Sequence, residues 1–171
     1  TIKKKEKDNH LEFKMVETLK ETFALAYENH QKNNLKVAKN LYQEVLKVNP
    51  SHFESIFLLG TLCAQSKSFE EAKQLLYKAI QINPNFADAH NNLGNVLKEL
   101  KENEKAMISY KKAIEIQPNF VPAHNNIGTL LLESNEQEKA VSFFQKAVEL
   151  QPNFVEALNN LGSALEKLDP E

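Results

Sequence analysis

Cysteine is nearly absent from this chain. Cys63 stands alone among 171 residues, so no internal disulfide can form and no second thiol completes a zinc or redox pair. Glycine is scarce too, and the four glycines lie far apart, which excludes the glycine-rich loop that cradles phosphate. Neither sign of charge dominates: 21 Lys and Arg face 23 Asp and Glu for a formal net charge of -2, a balance that supplies no field for nucleic acid. Long apolar runs are also missing. None approaches the ~18 residues of a membrane-spanning helix, and the opening residues carry no signal-peptide pattern. A cytoplasmic chain that engages neither membrane nor nucleic acid is therefore the expectation. No H-E-x-x-H occurs, and the acids are spread over helix starts and solvated faces, so neither a metal, a cofactor nor a catalytic site is expected.

What the chain does have is order, on a composition of 42% apolar and 26% charged residues that suits a folded protein. The stretch Ala87 to Phe120 comes round again almost unchanged from Val121 to Phe154, one unit of 34 residues. Within it His90, Leu93, Gly94 and Leu97 fall at the spacing of one helical face, and Ala106, Tyr110 and Ala113 do the same on a second helix. Polar Lys101, Glu102 and Asn103 between them suit a tight turn, and Pro118 closes the second helix because it lacks an N–H. The unit is a helix, a turn, a helix and a stop.

All four glycines, Gly60, Gly94, Gly128 and Gly162, occupy one place of the first helix, and Ala26 fills it in the first unit. Glycine inside a helix costs about 1 kcal/mol relative to alanine, so its recurrence implies close approach of a neighbouring helix. Pro50, Pro84, Pro118 and Pro152 keep the same period, as do Ala38, Ala72, Ala106 and Ala140.

These residues resemble the tetratricopeptide repeat (TPR), whose pattern sets an aromatic, Leu-Gly, an aromatic, then Ala, an aromatic and Pro at fixed offsets. Here the places read His90, Leu93-Gly94, Leu97, Ala106, Tyr110 and Pro118, then His124, Ile127-Gly128, Leu131, Ala140, Phe144 and Pro152. The resemblance runs from Leu19 to about Leu168 and departs most in the first unit, which has Thr22, Leu25-Ala26 and Asn29. It implies an all-α fold, a right-handed superhelical solenoid of antiparallel helix pairs. Units are expected at 19–52, 53–86, 87–120 and 121–154, after a charged extension over 1–18. Residues 155–171 are the first helix of a fifth unit, truncated or capping, and 155–168 is a surface for self-association if the chain is not a fragment of a longer one.

Along the chain, Lys3, Lys4, Lys5 and Lys7 beside Glu6 and Asp8 predict a frayed or solvated start, and Leu11, Met15, Leu19 and Leu25 predict a long first helix to about His30. Helix starts are predicted at Ser51, Asn85 and Asn153, each followed three residues later by an acid, Glu54, Asp88 and Glu156; Asn119 precedes Pro122 instead. His90 and His124 read as packing residues on the core stripe, and Cys63, in the place of Leu97 and Leu131, as an inert buried thiol.

Binding remains. With Leu93, Gly94 and Leu97 turned to the core, places two, five, six and nine form another stripe, the one that lines the concave groove in the TPR family. It presents Asp88, Asn91, Asn92 and Asn95, then Asn125, Asn126 and Thr129, then Glu156, Asn159, Asn160 and Ser163. Each amide offers a donor and an acceptor, as a peptide main chain requires. The alternative is that Asn-Asn-Leu-Gly is the family's default wording at a solvated surface. In the first two units the stripe carries Phe23 and Tyr27, then Glu54, Phe57 and Leu58, an apolar and aromatic stretch. Lys20 is the only basic residue at places two, five and six of the four full units, which argues against a clamp for a terminal carboxylate. Two functions follow: a scaffold holding an extended peptide or partner helix, or the recognition arm of a larger enzyme. The second arises because the style resembles TPR arms of the O-linked N-acetylglucosamine transferase type, where the ladder would fall at Asn92, Asn126 and Asn160.

Overall fold

The computed structural model describes the backbone of residues 2–168 and the side chains of 11–168. The side chains of the basic start, Lys3 to Asp8, and the terminal Asp169-Pro170-Glu171 lie outside the described residues. Those described form nine α-helices and no strand: α1 (Ile2–Gln31), α2 (Leu35–Val48), α3 (Phe53–Gln65), α4 (Phe69–Ile82), α5 (Ala87–Glu99), α6 (Asn103–Ile116), α7 (Val121–Glu133), α8 (Gln137–Leu150) and α9 (Val155–Leu168). The result is an all-α repeat array. Its helices fall into two compact units, Thr1–Ile82 and Asn83–Glu171.

In the first unit α1 packs on α2 and α3 on α4, with α2 against α3. In the second α5 packs on α6 and α7 on α8, α6 meets α7, and α9 closes against α7 and α8. Each pair is joined by three residues, too few for anything but antiparallel neighbours. The middle residue of every such turn is left-handed: Asn33, Lys67, Lys101 and Asn135 have φ of 60, 60, 64 and 59°. That twist lets Glu102 N–H reach back to Leu97 O at 2.8 Å and Glu136 N–H to Leu131 O at 2.9 Å, which satisfies carbonyls the helix end would leave bare. Asn103, expected in the turn, is instead the first residue of α6.

The second helices bury Ala38, Tyr42 and Val45; Ala72, Leu76 and Ala79; Ala106, Tyr110 and Ala113; and Ala140, Phe144 and Ala147. The recurrent glycine is what these meet. A Cβ at Gly94 would lie 2.4 Å from Tyr110 Cε1, one at Gly128 2.6 Å from Phe144 Cε1, and one at Gly60 3.2 Å from Leu76 Cγ. At Gly162 nothing lies within 4 Å.

The predicted helix starts need correction by a residue or more. The cap residues of α3, α5 and α7 are His52, Phe86 and Phe120, not Ser51, Asn85 and Asn119, and Asn153 lies two residues ahead of α9. The preceding turn is the reason. Phe120 N–H donates to Gln117 O at 3.0 Å, so Phe120 still belongs to the turn; its ring packs onto the cluster of Ala87, Ala113 and Ala123, and the helix begins at the next residue. Where a side chain does cap, it is the His52 ring: its Nδ1 accepts from Ser55 N–H at 3.2 Å.

Candidate functional site

The stripe at places five, six and nine of the first helices becomes, in the second unit, a chain of amides that crosses from repeat to repeat. Asn126 on α7 donates through Nδ2 to Asn91 Oδ1 at 2.9 Å and to Asn95 Oδ1 at 3.0 Å, both on α5. One repeat on, Asn160 of α9 donates to Asn125 Oδ1 at 3.0 Å, and Asn125 donates to Glu156 Oε1 at 2.9 Å. The 34-residue period makes this pattern recur, because place six of each first helix lands beside place five of the one before.

Burial separates the two places. Asn91 and Asn125 are buried, Asn125 to 1% exposure, and a buried amide must find partners or cost about 1–3 kcal/mol. Asn92, Asn126 and Asn160 are half-buried, while Asp88, Asn95 and Asn159 are exposed. The stripe is thus two rows, an inner one that ties repeats together and an outer one that meets solvent.

Sequence reasoning placed Tyr110 in the core and missed its second role. Its ring covers Gly94 while its hydroxyl donates to Asn95 Oδ1 at 2.8 Å, so the core aromatic holds a stripe amide in place. Burial, then the nearby Glu133 and Glu99, hold the Tyr110 hydroxyl well above the ordinary phenol value, so it stays a donor. In the next repeat Phe144 has no hydroxyl, and Thr129 turns its own to Asn125 O at 3.0 Å instead. The pairing of Tyr with Asn and of Phe with Thr is the signal that could have revealed this link. Glu156, expected both as a helix-start acid and on the stripe, takes the Asn125 amide.

In the first unit the stripe is aromatic. Phe57 stacks on Phe53 at 6.2 Å between centroids and 7° between planes, and Tyr27 is exposed on α1. Phe23 is partly buried against Tyr42 and His52. Tyr42, its hydroxyl pushed up to about 12 by burial, meets His30 Nδ1 at 3.2 Å, and His30 Nε2 meets Gln65 Oε1 at 3.1 Å.

His90 and His124 sit where packing residues were expected. Both are buried, and each donates from Nε2 to the carbonyl of the proline six residues earlier, Pro84 and Pro118, at 2.8 Å. Each histidine therefore pins the loop that ends the preceding repeat. Among the described residues no three His, Cys, Asp or Glu side chains could hold a metal ion, and no helix is long and apolar enough to cross a membrane. Cys63 is buried, and burial, then Glu71, pushes its thiol up to about 11, the reverse of what a nucleophile needs.

Tetratricopeptide repeat models match residues 23–52, 87–120 and 109–142, and a TPR repeat model matches 60–101 and 128–169. Together they span 23–52 and 60–169. No curated protein sequence matches the chain. Among solved structures, MamA is 23% identical, with 88% of this chain and 82% of that one covered and a TM-score of 0.78. YrrB, described as a TPR protein with an unusual peptide-binding site, is 22% identical over 88% of this chain and 81% of its own, with a TM-score of 0.71. An O-GlcNAc transferase of Thermobaculum terrenum is 25% identical over 79% of this chain, which spans only 26% of that protein, with a TM-score of 0.74.

Proposed function

The chain belongs to the tetratricopeptide repeat family, and from that premise we propose that it is a protein-interaction scaffold whose first helices hold an extended peptide. The observation that carries this reading is the double row of amides on α5, α7 and α9. Asn91 and Asn125 set the orientation of Asn126 and Asn160 from beneath. With its amide hydrogens committed to Asn91 and Asn95, Asn126 keeps its carbonyl oxygen as acceptor for a peptide N–H; Asn160 keeps an oxygen and one hydrogen. A peptide main chain offers that alternation of donor and acceptor whatever its side chains. Asn92, Asn95 and Asn159 extend the outer row, and Asp88 at one margin favours neutral or basic peptides over acidic ones. Tyr27 and Phe57 in the first unit serve as apolar anchors of a kind frequent at binding surfaces.

The test is peptide-library capture by the native chain and by one with Asn92, Asn126 and Asn160 all changed to Ala. Loss of capture with unchanged helical circular dichroism is expected; equal capture by both chains would remove the ladder.

A second reading takes the same face as the substrate-recognition arm of a larger glycosyltransferase-type enzyme, supported by the match to one quarter of such a protein. In that case the chain itself performs no chemistry. Fusing it to a heterologous transferase domain and finding no change in which proteins become glycosylated would dispose of this alternative.

A further inference from the structure

The amide stripe differs at its two steps, from α5 to α7 and from α7 to α9, and one hydroxyl makes the difference. Tyr110 is buried, and Asn95 Oδ1, at 2.8 Å, is the one acceptor its hydroxyl reaches among the described residues. With the Asn95 amide turned round, the phenol hydrogen would be buried without a partner, so the hydroxyl fixes that amide with its oxygen inward. The same oxygen receives Asn126 Nδ2 at 3.0 Å, while the second Nδ2 hydrogen goes to Asn91 Oδ1 at 2.9 Å. Asn126 is left with no hydrogen to give and with a carbonyl oxygen that bonds nothing among the described residues. At the next step this relay is missing. Phe144 stands where Tyr110 does, Thr129 gives its hydroxyl to Asn125 O at 3.0 Å, and Asn160 uses one hydrogen on Asn125 Oδ1 and keeps the other. Both steps lie inside the second unit, with α7 flanked by α5 and α9.

We propose that Tyr110 determines specificity in the groove, acting through Asn95 and Asn126, so that the step from α5 to α7 takes a main-chain N–H of the bound peptide and rejects a carboxylate side chain. The inference rests on the peptide reading above and adds which group is accepted at this step and which residue decides it. An unattached asparagine amide meets a donor with its oxygen or an acceptor with its nitrogen, and so does not discriminate. Asn126 has lost that freedom. Turning it to greet a carboxylate would break both of its bonds and set its oxygen against those of Asn91 and Asn95, acceptor facing acceptor. Asn160, with a hydrogen to spare, meets either kind of group. Tyr110 lies beneath the surface, a positioning residue whose effect passes outward through two amides.

The test has one arm that needs no peptide and one that does. By NMR of the full chain, the side-chain amide hydrogens of Asn126 should exchange with water about fivefold more slowly than those of Asn95, the factor one net hydrogen bond supplies. Tyr110→Phe, which keeps the ring over Gly94, and Asn95→Ala, which spares the core, should each speed the Asn126 exchange. The second arm is an aspartate scan along one peptide captured from the library by the native chain. One position is expected where Asp weakens binding about tenfold or more, and both variants should cut that penalty about fivefold. Asp88 and Glu156 are common to all three chains, so their repulsion of acids cancels in the comparison. Phe144→Tyr together with Thr129→Asn builds the relay at the next step and should create a second such position. Equal exchange of the Asn126 and Asn95 amides in the native chain would overturn the relay. An aspartate penalty that neither variant changes, with capture intact, would overturn the role of Tyr110 and leave the peptide reading standing. No capture by the native chain would remove the peptide reading, and this specificity with it, whatever the amides do.

Discussion

The first and last of the described helices, α1 and α9, hold the same place in the repeat and expose different kinds of residue. Places three and ten of α3, α5, α7 and α9 are Ser55, Ala89, Ala123 and Ala157, then Leu62, Val96, Leu130 and Ala164, all buried. On α1 the same places are Glu21 and Glu28, both exposed, with Glu28 paired to Lys32 one turn on, a bond that holds its carboxyl below the ordinary range. α1 also exposes apolar residues, Leu11, Phe13, Met15, Val16, Leu25 and Tyr27, the first four interleaved with Glu12, Lys14 and Glu17. On α9 the uncovered side keeps the residues of an interior. Charged residues thus hold on α1 the places that are apolar and buried on the other first helices, whereas α9 keeps the apolar residues of those helices on a side that is exposed.

The sharpest way to break this comparison is to add one methyl group at equivalent glycines. Gly94→Ala drives a Cβ to 2.4 Å from the Tyr110 ring, which cannot swing aside without losing the bond from its hydroxyl to Asn95. Overpacking of that kind costs about 1–3 kcal/mol and here belongs at the upper end. Gly128→Ala should behave alike against Phe144. Gly162→Ala meets open space and should gain about 1 kcal/mol of helix propensity. Urea denaturation of the three variants gives the answer. A destabilised Gly162→Ala chain would show that α9 is packed there after all, and a neutral Gly94→Ala would show that the Tyr110 ring yields.

A smaller effect separates the two rows of asparagines. Asn125→Ala removes a buried amide that receives Asn160 and donates to Glu156, leaving both without that partner, for a loss of about 1–3 kcal/mol. Asn159→Ala, at the same place five but exposed on α9, should stay within about 0.5 kcal/mol. Thermal unfolding of both variants tests it, and equal losses would erase the division into inner and outer rows.

Much of this was legible before any coordinates, and the parts that were not have identifiable causes. Periodicity translates directly into burial, so the helix pairs and the crowding at Gly94 and Gly128 could be read from spacing alone. Gly162 is the same letter in the same place, yet among the described residues nothing lies within 4 Å of a Cβ built there. The helix starts were misplaced because Asn49 and Asn83 accept from the N–H groups of Ser51 and Asn85 at 3.1 and 3.3 Å, which makes a turn where a cap was expected. Left-handed Lys67 and Lys101 carry no residue-type signal, since lysine does not favour that conformation, and only their fixed place in the repeat betrays them. The asparagine stripe was visible as a stripe. That place five tucks beneath the next repeat while place six looks outward was not, because one helix alone cannot show which of its faces a neighbour shadows.

The gentlest probe of the two surfaces uses the lone thiol. Cys63 and Leu165 hold the same place, one in a closed pair and the other on the bare side of α9. Burial raises the Cys63 thiol to about 11, so the folded chain favours the neutral form. By linkage this stabilisation is whole below the ordinary thiol value and fades as pH climbs from there towards 11, where the folded state too must ionise. The native chain should therefore leave a thiol reagent almost unconsumed at about pH 8 until denaturant is added. Leu165→Cys should add one thiol that reacts at the rate of a free cysteine, with little change in stability because the Leu165 side chain is already half in water. Slow reaction of that added thiol would show that α9 is covered in solution, while a fast native thiol would show that the α3 and α4 pair opens as readily as the bare end.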